Sequence, residues 1–418
     1  MELDAISPEL EQVERLGGAD LVVGILASKD EEALATASMM REALAGLSNL
    51  SRAVVVCRNG THSPVPNVQE VPGDGQAQPI IFCSLPEPGP VETPHQSIMN
   101  GYRSVLAIGG KLGARGCGVI ASQPETLTPL WINRLVQPVL ELGFDLVAPR
   151  YARHKMEGLL NRSVLSPLYR SLYGWQLQNP VGPDFGLSGN LLQRVLGRDS
   201  GSRRGSPTDL LASIASSAAY SGFQVCESHL GLRNQPPTDW MNLSSLLTAI
   251  LGAVFQELEH QAAFWQSVRG SRPVPAFGVP DTLPEETSTV DTRRMIESFQ
   301  LGIQSLQDVW ALVLPPTSLL ELRRLARMPP DQFRMPDELW ARIVYDFALG
   351  YRLRVISRDH LLRSITPLYL GWIASYALEM ETAGPAEVES RIERVSSSYE
   401  SSKSYMVSRW RWPDRFNP

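Results

Sequence analysis

The residue types best suited to chemistry gather in the middle of the chain. Arg150, Tyr151, Arg153 and His154 close the apolar run 144–149, and Asn161 opens the helical pattern that follows. A guanidinium is a planar fork of donors that matches a carboxylate. Two arginines, a histidine and an amide just past a strand could therefore grip a small carboxylate. A structural ion-pair network uses the same residue types, so both readings stay open. The remaining histidines are dispersed: His62 and His95 fall in loops and His260 on a helix face. His229 alternates off a strand and reads as a surface or supporting group. No GxGxxG follows a strand, and Walker, HExxH and GxSxG patterns are absent. Cys57, Cys83, Cys117 and Cys226 are scattered without a CxxC pair, which argues against a disulfide framework or a zinc site.

These residues must be positioned by the elements around them. Apolar runs at 20–26, 53–57, 79–83, 116–121, 144–149 and 223–226 read as strands. Helical spacing at 30–47, 98–112, 130–142, 162–173 and 208–221 falls between them, with a short lead-in helix at 8–17. Such alternation predicts a mostly parallel sheet with helices on both faces. Ligands bind such sheets outside the carboxyl ends of the strands. The stretch 197–207 (GRDSGSRRGSP) is polar and Gly/Ser-rich and predicts a mobile loop.

After residue 239 the periodicity is wholly helical, with helices expected at 243–268, 293–313, 318–327, 336–356, 359–380 and 386–408 and a Pro-rich connector at 271–284. Trp310, Trp340, Tyr345, Phe347, Tyr369, Trp372 and Tyr376 read as core rather than as a stacking platform.

Composition bounds the function. The 418 residues give room for two domains, and 43% hydrophobic with 20% charged residues is ordinary globular chemistry. A net charge of −6 without a dense basic run offers no field for nucleic acid or an anionic membrane. The acidic, amphipathic start is no secretory signal, and no apolar run approaches the roughly 20 residues that span a bilayer. The expected compartment is the cytoplasm.

Five phrases carry a family resemblance: LVAPRYARHKMEG, LSPLYRSLYG and NPVGPDFGLSG between 146 and 189, ELWARIVYDFALGYR at 338–352 and LLRSITPLYLGWIASYALE at 361–379. Through them the chain, from about 19 to 380, resembles the mannosylglycerate synthase group of retaining glycosyltransferases and its bacterial relatives labelled cell-wall glycosyltransferases. The resemblance implies an α/β fold of the glycosyltransferase-A type, with a lead-in helix at 1–18, a nucleotide-sugar domain at 19–239 and an all-helical C-terminal domain at 240–418. It implies acceptor binding by Arg150, Tyr151, Arg153, His154 and Asn161. It also places Asp184, in a GGDFG-like turn, and Asp209, on the helix after the loop, near the reacting sugar. Asp184 as a plain turn acceptor and Asp209 as a cap or dipole partner are the alternatives.

The donor half departs from the family. An Asp-x-Asp that would hold Mg²⁺ or Mn²⁺ against the diphosphate is implied where Ala121, Ser122 and Gln123 stand. Gln235 takes the place of a metal-side histidine, Asn59 that of an aspartate facing the base, and Ser97, Ile98 and Met99 that of a Gly-Lys-Gly turn. The expected metal ligands are thus missing. Lys29, Asn59, Ser122 and Gln123 are the remaining donor-side candidates, with Lys29 a partial substitute for the lost charge. Two functions follow. One is transfer of a hexose from a nucleotide sugar to a small hydroxy-acid or polyol without the usual metal site. The other is a degenerate glycosyltransferase acting as a binding, scaffold or regulatory subunit. Its partners would be a homo-oligomer or an active paralogue.

Overall fold

The computed structural model describes residues 17–26, 33–44, 47, 50–58, 69–71, 80–85, 94–121, 127–199, 207–232, 242–281 and 290–413. Of the expected lead-in helix all but Gly17 lies outside them. The chain divides into two units by internal packing. The first comprises the described residues of Met1–Ala152, Val181–Asn234 and Val274–Thr282, and the second those of Arg153–Pro180, Gln235–Pro273 and Leu283–Pro418.

The first unit is built on strands β1 (Leu21–Ile25), β2 (Ala53–Arg58), β3 (Gln69–Val71), β4 (Ile80–Leu85), β5 (Gly116–Ile120) and β6 (Leu146–Ala152), which belong to one nine-stranded sheet. β1 is buried along its whole length and pairs in parallel with β2 (Leu21 opposite Ala53) and β5 (Leu21 opposite Gly116). Burial on both faces is why LVVGI reads as an unbroken apolar run rather than an alternating one. Helices α1 (Ala33–Leu44), α2 (Pro94–Lys111) and α3 (Pro129–Glu141) connect these strands. Met40, Leu44, Trp131, Ile132 and Leu135 seal one face over Val23, Val55 and Val147. The expected class, a mostly parallel sheet flanked by helices with a helical C-terminal region, is the one observed.

Several elements were not expected. The second unit supplies a two-residue strand β7 (Trp175–Gln176), after which β8 (Phe185–Ser188) inserts antiparallel between β5 and β6. Four residues in a Gly-rich phrase leave no readable period. Gly186 is required there: a Cβ would lie 2.0 Å from the Leu135 carbonyl oxygen, so α3 rests directly on the strand. A helix, α5 (Gly189–Asp199), then enters the stretch expected as loop, following α4 (Ser166–Tyr173) of the second unit. Residues 200–206 lie outside the described ones. After α6 (Pro207–Ser221), β9 (Val225–Leu232) runs well past its expected end at 226.

The second unit holds the segment 153–180 and the C-terminal helices, with β7 paired in parallel to β10 (Arg272–Pro273). The expected connector at 271–284 also returns β11 (Ala276–Phe277) to the first unit, where it lies beside β9. The helices expected as single long runs are broken: Leu243–His260 and Ala262–Trp265, Thr292–Ser305 and Gln307–Ala311, Arg358–Ser364 and Thr366–Glu379, and Pro385–Ser401 and Lys403–Arg411. Trp310, Trp340, Tyr345, Phe347, Tyr369, Trp372 and Tyr376 are all buried, as core. The expected helix at 162–173 opens with a π-turn, Asn161–Leu165, and the Ser163 carbonyl has no amide donor four residues on because that residue is Pro167. That oxygen instead accepts from Trp340 Nε1 at 3.0 Å and the Tyr399 hydroxyl at 2.9 Å. Among the described residues no helix is long and apolar enough to cross a membrane.

Two substitutions test this account. Asp20 ties β1 to the start of β2 by accepting from the amides of Ser51 (2.7 Å) and Arg52 (3.2 Å), beside Arg115. Burial pulls its carboxyl up, but the two amides and Arg115 outweigh it and hold it below its ordinary value. Asp20→Ala should cost about 1–3 kcal/mol at neutral pH in urea unfolding. The depressed pKa means that this stabilisation is present above the ordinary carboxylate range and lost as pH falls through the folded-state value, so the gap to wild type should close in acid. Gly186→Ala should cost about 1–3 kcal/mol or more, because the clash is with backbone.

Candidate functional site

The carboxyl ends of β5 and β6 converge on one buried carboxylate. The Ala121 amide, just past β5, donates to Asp184 Oδ1 at 2.8 Å, and the Tyr151 hydroxyl on β6 donates to Oδ2. Asp184 is wholly buried. A carboxylate in that position is tolerable only with both oxygens bonded. The turn before it is fixed as well, because the Tyr102 hydroxyl donates to the Pro183 carbonyl at 2.7 Å while its ring stacks on Phe185. The Tyr151 ring leans on Trp131 of α3, with centroids 6.0 Å apart. Asp184 therefore joins the end of β5, the start of β8 and the end of β6.

The next pair of strands carries charge. Arg150 pairs in register with His229 and Tyr151 with Gly231, so Leu230 is the extra residue of a β-bulge. Gly231 adopts φ +84°, and a Cβ there would lie 2.5 Å from Asp281 Oδ2. Glu227 is buried, with its side chain 2% exposed, and Arg150, 34% exposed, faces it at 3.4 Å. Strand alternation puts Glu227 and His229 on one face of β9. Arg134 of α3 donates to the His229 carbonyl. Burial first, then Arg150 and Arg134, holds the His229 imidazole below its ordinary range against an opposing pull from Asp281.

Of the expected acceptor residues, Arg150 and Tyr151 belong to the first unit, and Arg153, His154 and Asn161 to the second. In the second unit, His154 and Glu157 close a tight turn: the His154 amide donates to Glu157 Oε2 at 3.1 Å, and the Glu157 amide to the His154 carbonyl at 3.0 Å. The guanidinium of Arg153 covers Gly158, and Asn161 starts the π-turn. Asp209 lies in the first turn of α6, where the helix dipole favours a carboxylate. Lys29, Asn59, Ser122 and Gln123 lie outside the described residues. Glu227, Arg134 and Asp281 were not singled out by sequence. Glu227 follows directly on the strand expected to end at 226, and the longer strand that buries it was not readable, whereas Arg134 and Asp281 reach the site only through the packing of α3 and of residues 274–282.

The divalent metal implied by the resemblance does not fit what stands at the end of β5. Ala121 presents a methyl group where the first carboxylate is implied, and Asp184 is committed to an amide and a phenol. Among the described residues no group of three or more His, Cys, Asp or Glu side chains is placed to hold an ion.

No family model matches the chain. No curated protein matches it. Among solved structures it is similar to glucosyl-3-phosphoglycerate synthase from Mycobacterium tuberculosis in complex with Mn²⁺, UDP-glucose and phosphoglyceric acid, with 19% identity over 60% of this chain and 82% of that one and a TM-score of 0.35. The complex of the same enzyme with UDP gives 20% identity over 61% and 84% and a TM-score of 0.33. At that identity and score, neither activity nor residue roles transfer to this chain.

The joint at Asp184 predicts strong coupling. Tyr151→Phe leaves a buried carboxylate oxygen short of a donor and should cost about 1–3 kcal/mol. Asp184→Ala should cost more. In a double-mutant cycle read by chemical denaturation the two losses should fail to add by about 0.5–3 kcal/mol, and additive losses would contradict the joint.

Proposed function

We propose that the chain is a glycosyltransferase-type protein of the glycosyltransferase-A fold. It binds a nucleotide sugar and a small hydroxy-acid or polyol at the carboxyl ends of β5, β6 and β9. The observation that carries this reading is the bond between Tyr151 and Asp184, 33 residues apart, at the strand ends where ligands bind in such sheets. Two phrases that resemble a glycosyltransferase acceptor half thereby meet at one point. In any such transfer the bond between the sugar and the diphosphate breaks and leaves negative charge on the departing phosphate, which must be met by positive charge.

A second reading has its own support. Ala121 in the place of a ligating acid, beside a fully engaged Asp184, suits a protein that retains a binding groove and has lost the ordinary metal-dependent reaction. It would serve as a scaffold or regulatory subunit, associated with itself or with an active paralogue.

Calorimetric titration with UDP-, GDP- and ADP-sugars separates the two. Micromolar binding of one nucleotide sugar, with release of the nucleotide when glycerate is added, is expected of the enzyme. No heat with any of them in EDTA, Mg²⁺ or Mn²⁺ removes it. The scaffold reading is then tested by whether a glycosyltransferase chain co-purifies.

A further inference from the structure

Lys155 is attached at two points to one helix end. Its ammonium donates to the Met380 carbonyl at 2.9 Å and the Glu381 carbonyl at 2.7 Å, just past the helix Thr366–Glu379. A cation is favoured there, because the last carbonyls of a helix lack amide donors and carry the negative end of its dipole. In return the Tyr376 hydroxyl, from the last turn of that helix, donates to the Lys155 carbonyl at 2.9 Å. Tyr376 is itself immobilised. It is fully buried and stacks on Trp372 with centroids 5.3 Å apart, and Trp372 stacks on Trp340. Side chain and backbone of residue 155 are thus both tied to the aromatic core of the second unit. The neighbouring residues are fixed with it. The His154 amide donates to Glu157 Oε2 and the Glu157 amide to the His154 carbonyl, which closes the turn around Lys155. Gly158 follows at φ +61°, and a Cβ there would lie 2.1 Å from Arg153 Nη1, so only a glycine lets the Arg153 guanidinium lie against the backbone. Of the basic residues in the phrase Arg153-His154-Lys155, Lys155 is the one directed to the helix end.

We propose that Lys155 and Tyr376 are positioning residues: the end of the helix Thr366–Glu379 holds the turn 153–158 in the shape that binds a small carboxylate acceptor through Arg153 and His154. The acceptor rests on the function proposed above. Lys155 is half-buried, and hydrogen bonds of this kind contribute modestly to stability. The helix is held chiefly by its buried aromatic face. Losing the clasp therefore loosens the turn and leaves the unit folded.

The test combines hydrogen exchange with calorimetry on the full chain, using glycerate, 3-phosphoglycerate and UDP-glucose as separate probes. Lys155→Met should speed exchange of the amides at 154–158 by about tenfold. It should weaken binding of the acid by about tenfold. Exchange in the rest of the helical unit and the affinity for UDP-glucose should stay as in wild type, a split that general loosening of the fold would not produce. Lys155→Arg can still donate to both carbonyls and should restore the turn and the affinity. Tyr376→Phe keeps the ring and should act in the same direction, but its hydroxyl also meets Arg162, so Lys155→Met decides. Unchanged exchange at 154–158, or acid affinity that survives Lys155→Met, overturns the proposal. So does a wild-type chain that binds neither acid; UDP-glucose binding by that chain keeps the nucleotide-sugar reading. If the acid binds, Lys155→Met weakens it and no nucleotide sugar binds, the clasp stands and the glycosyltransferase reading falls.

Discussion

A single carboxylate with no access to water organises the ligand-binding end of the sheet. Asp184 lies between strands that are distant in sequence, and its oxygens take the Ala121 amide and the Tyr151 hydroxyl. Inside a protein such a group is costly unless bonded, so each partner is constrained by the others. β8 must enter antiparallel for Asp184 to reach the end of β5. α3 must lie on Gly186 for β8 to fit, and Trp131 from that helix backs the Tyr151 ring. The site is therefore a consequence of how β8 is inserted, not a surface added to a finished sheet.

The second unit solves a comparable problem with neutral donors. A proline four residues on leaves a helix carbonyl without its amide donor. At Ser163 that carbonyl becomes the acceptor for an indole and a phenol from two C-terminal helices. Trp340 and Tyr399 are fully buried, so each needed a partner for its polar atom, and one oxygen serves both. Arg391 plays the ionic counterpart, reaching Asp337 at 2.5 Å and Glu379 at 2.7 Å from a nearly inaccessible position. Segment 153–180 is thereby a structural member of the helical unit, although in sequence it lies between strands of the sheet.

What could be read from sequence follows a simple division. The buried parallel strands and amphipathic helices announce themselves, because burial on both faces or on one stripe writes a run or a period of adequate length. β1 and the aromatic core of the C-terminal helices are examples. β8, β10 and β11 are two to four residues long and write no period. They exist because neighbouring backbone is already in place, which only the folded chain supplies. The candidate site divides in the same way. Arg150, Tyr151 and Asp184 were legible through their phrases, and the bond between Tyr151 and Asp184 was not. Asp281 was illegible altogether, since it arrives on a chain segment that leaves the sheet after β9 and returns to it at β11.

The Glu227–Arg150 pair gains little from its own attraction. Taking the Glu227 carboxylate out of water costs about as much as its attraction to the half-buried Arg150 returns, and an apolar residue of similar volume would serve stability equally well or better. Its contribution to the fold therefore does not explain a buried glutamate beside the bulge where β6 and β9 end. Among the described residues, Ala121 presents a methyl group just past β5, and the Arg150–Glu227 pair lies beyond β8 on the next strands of the sheet.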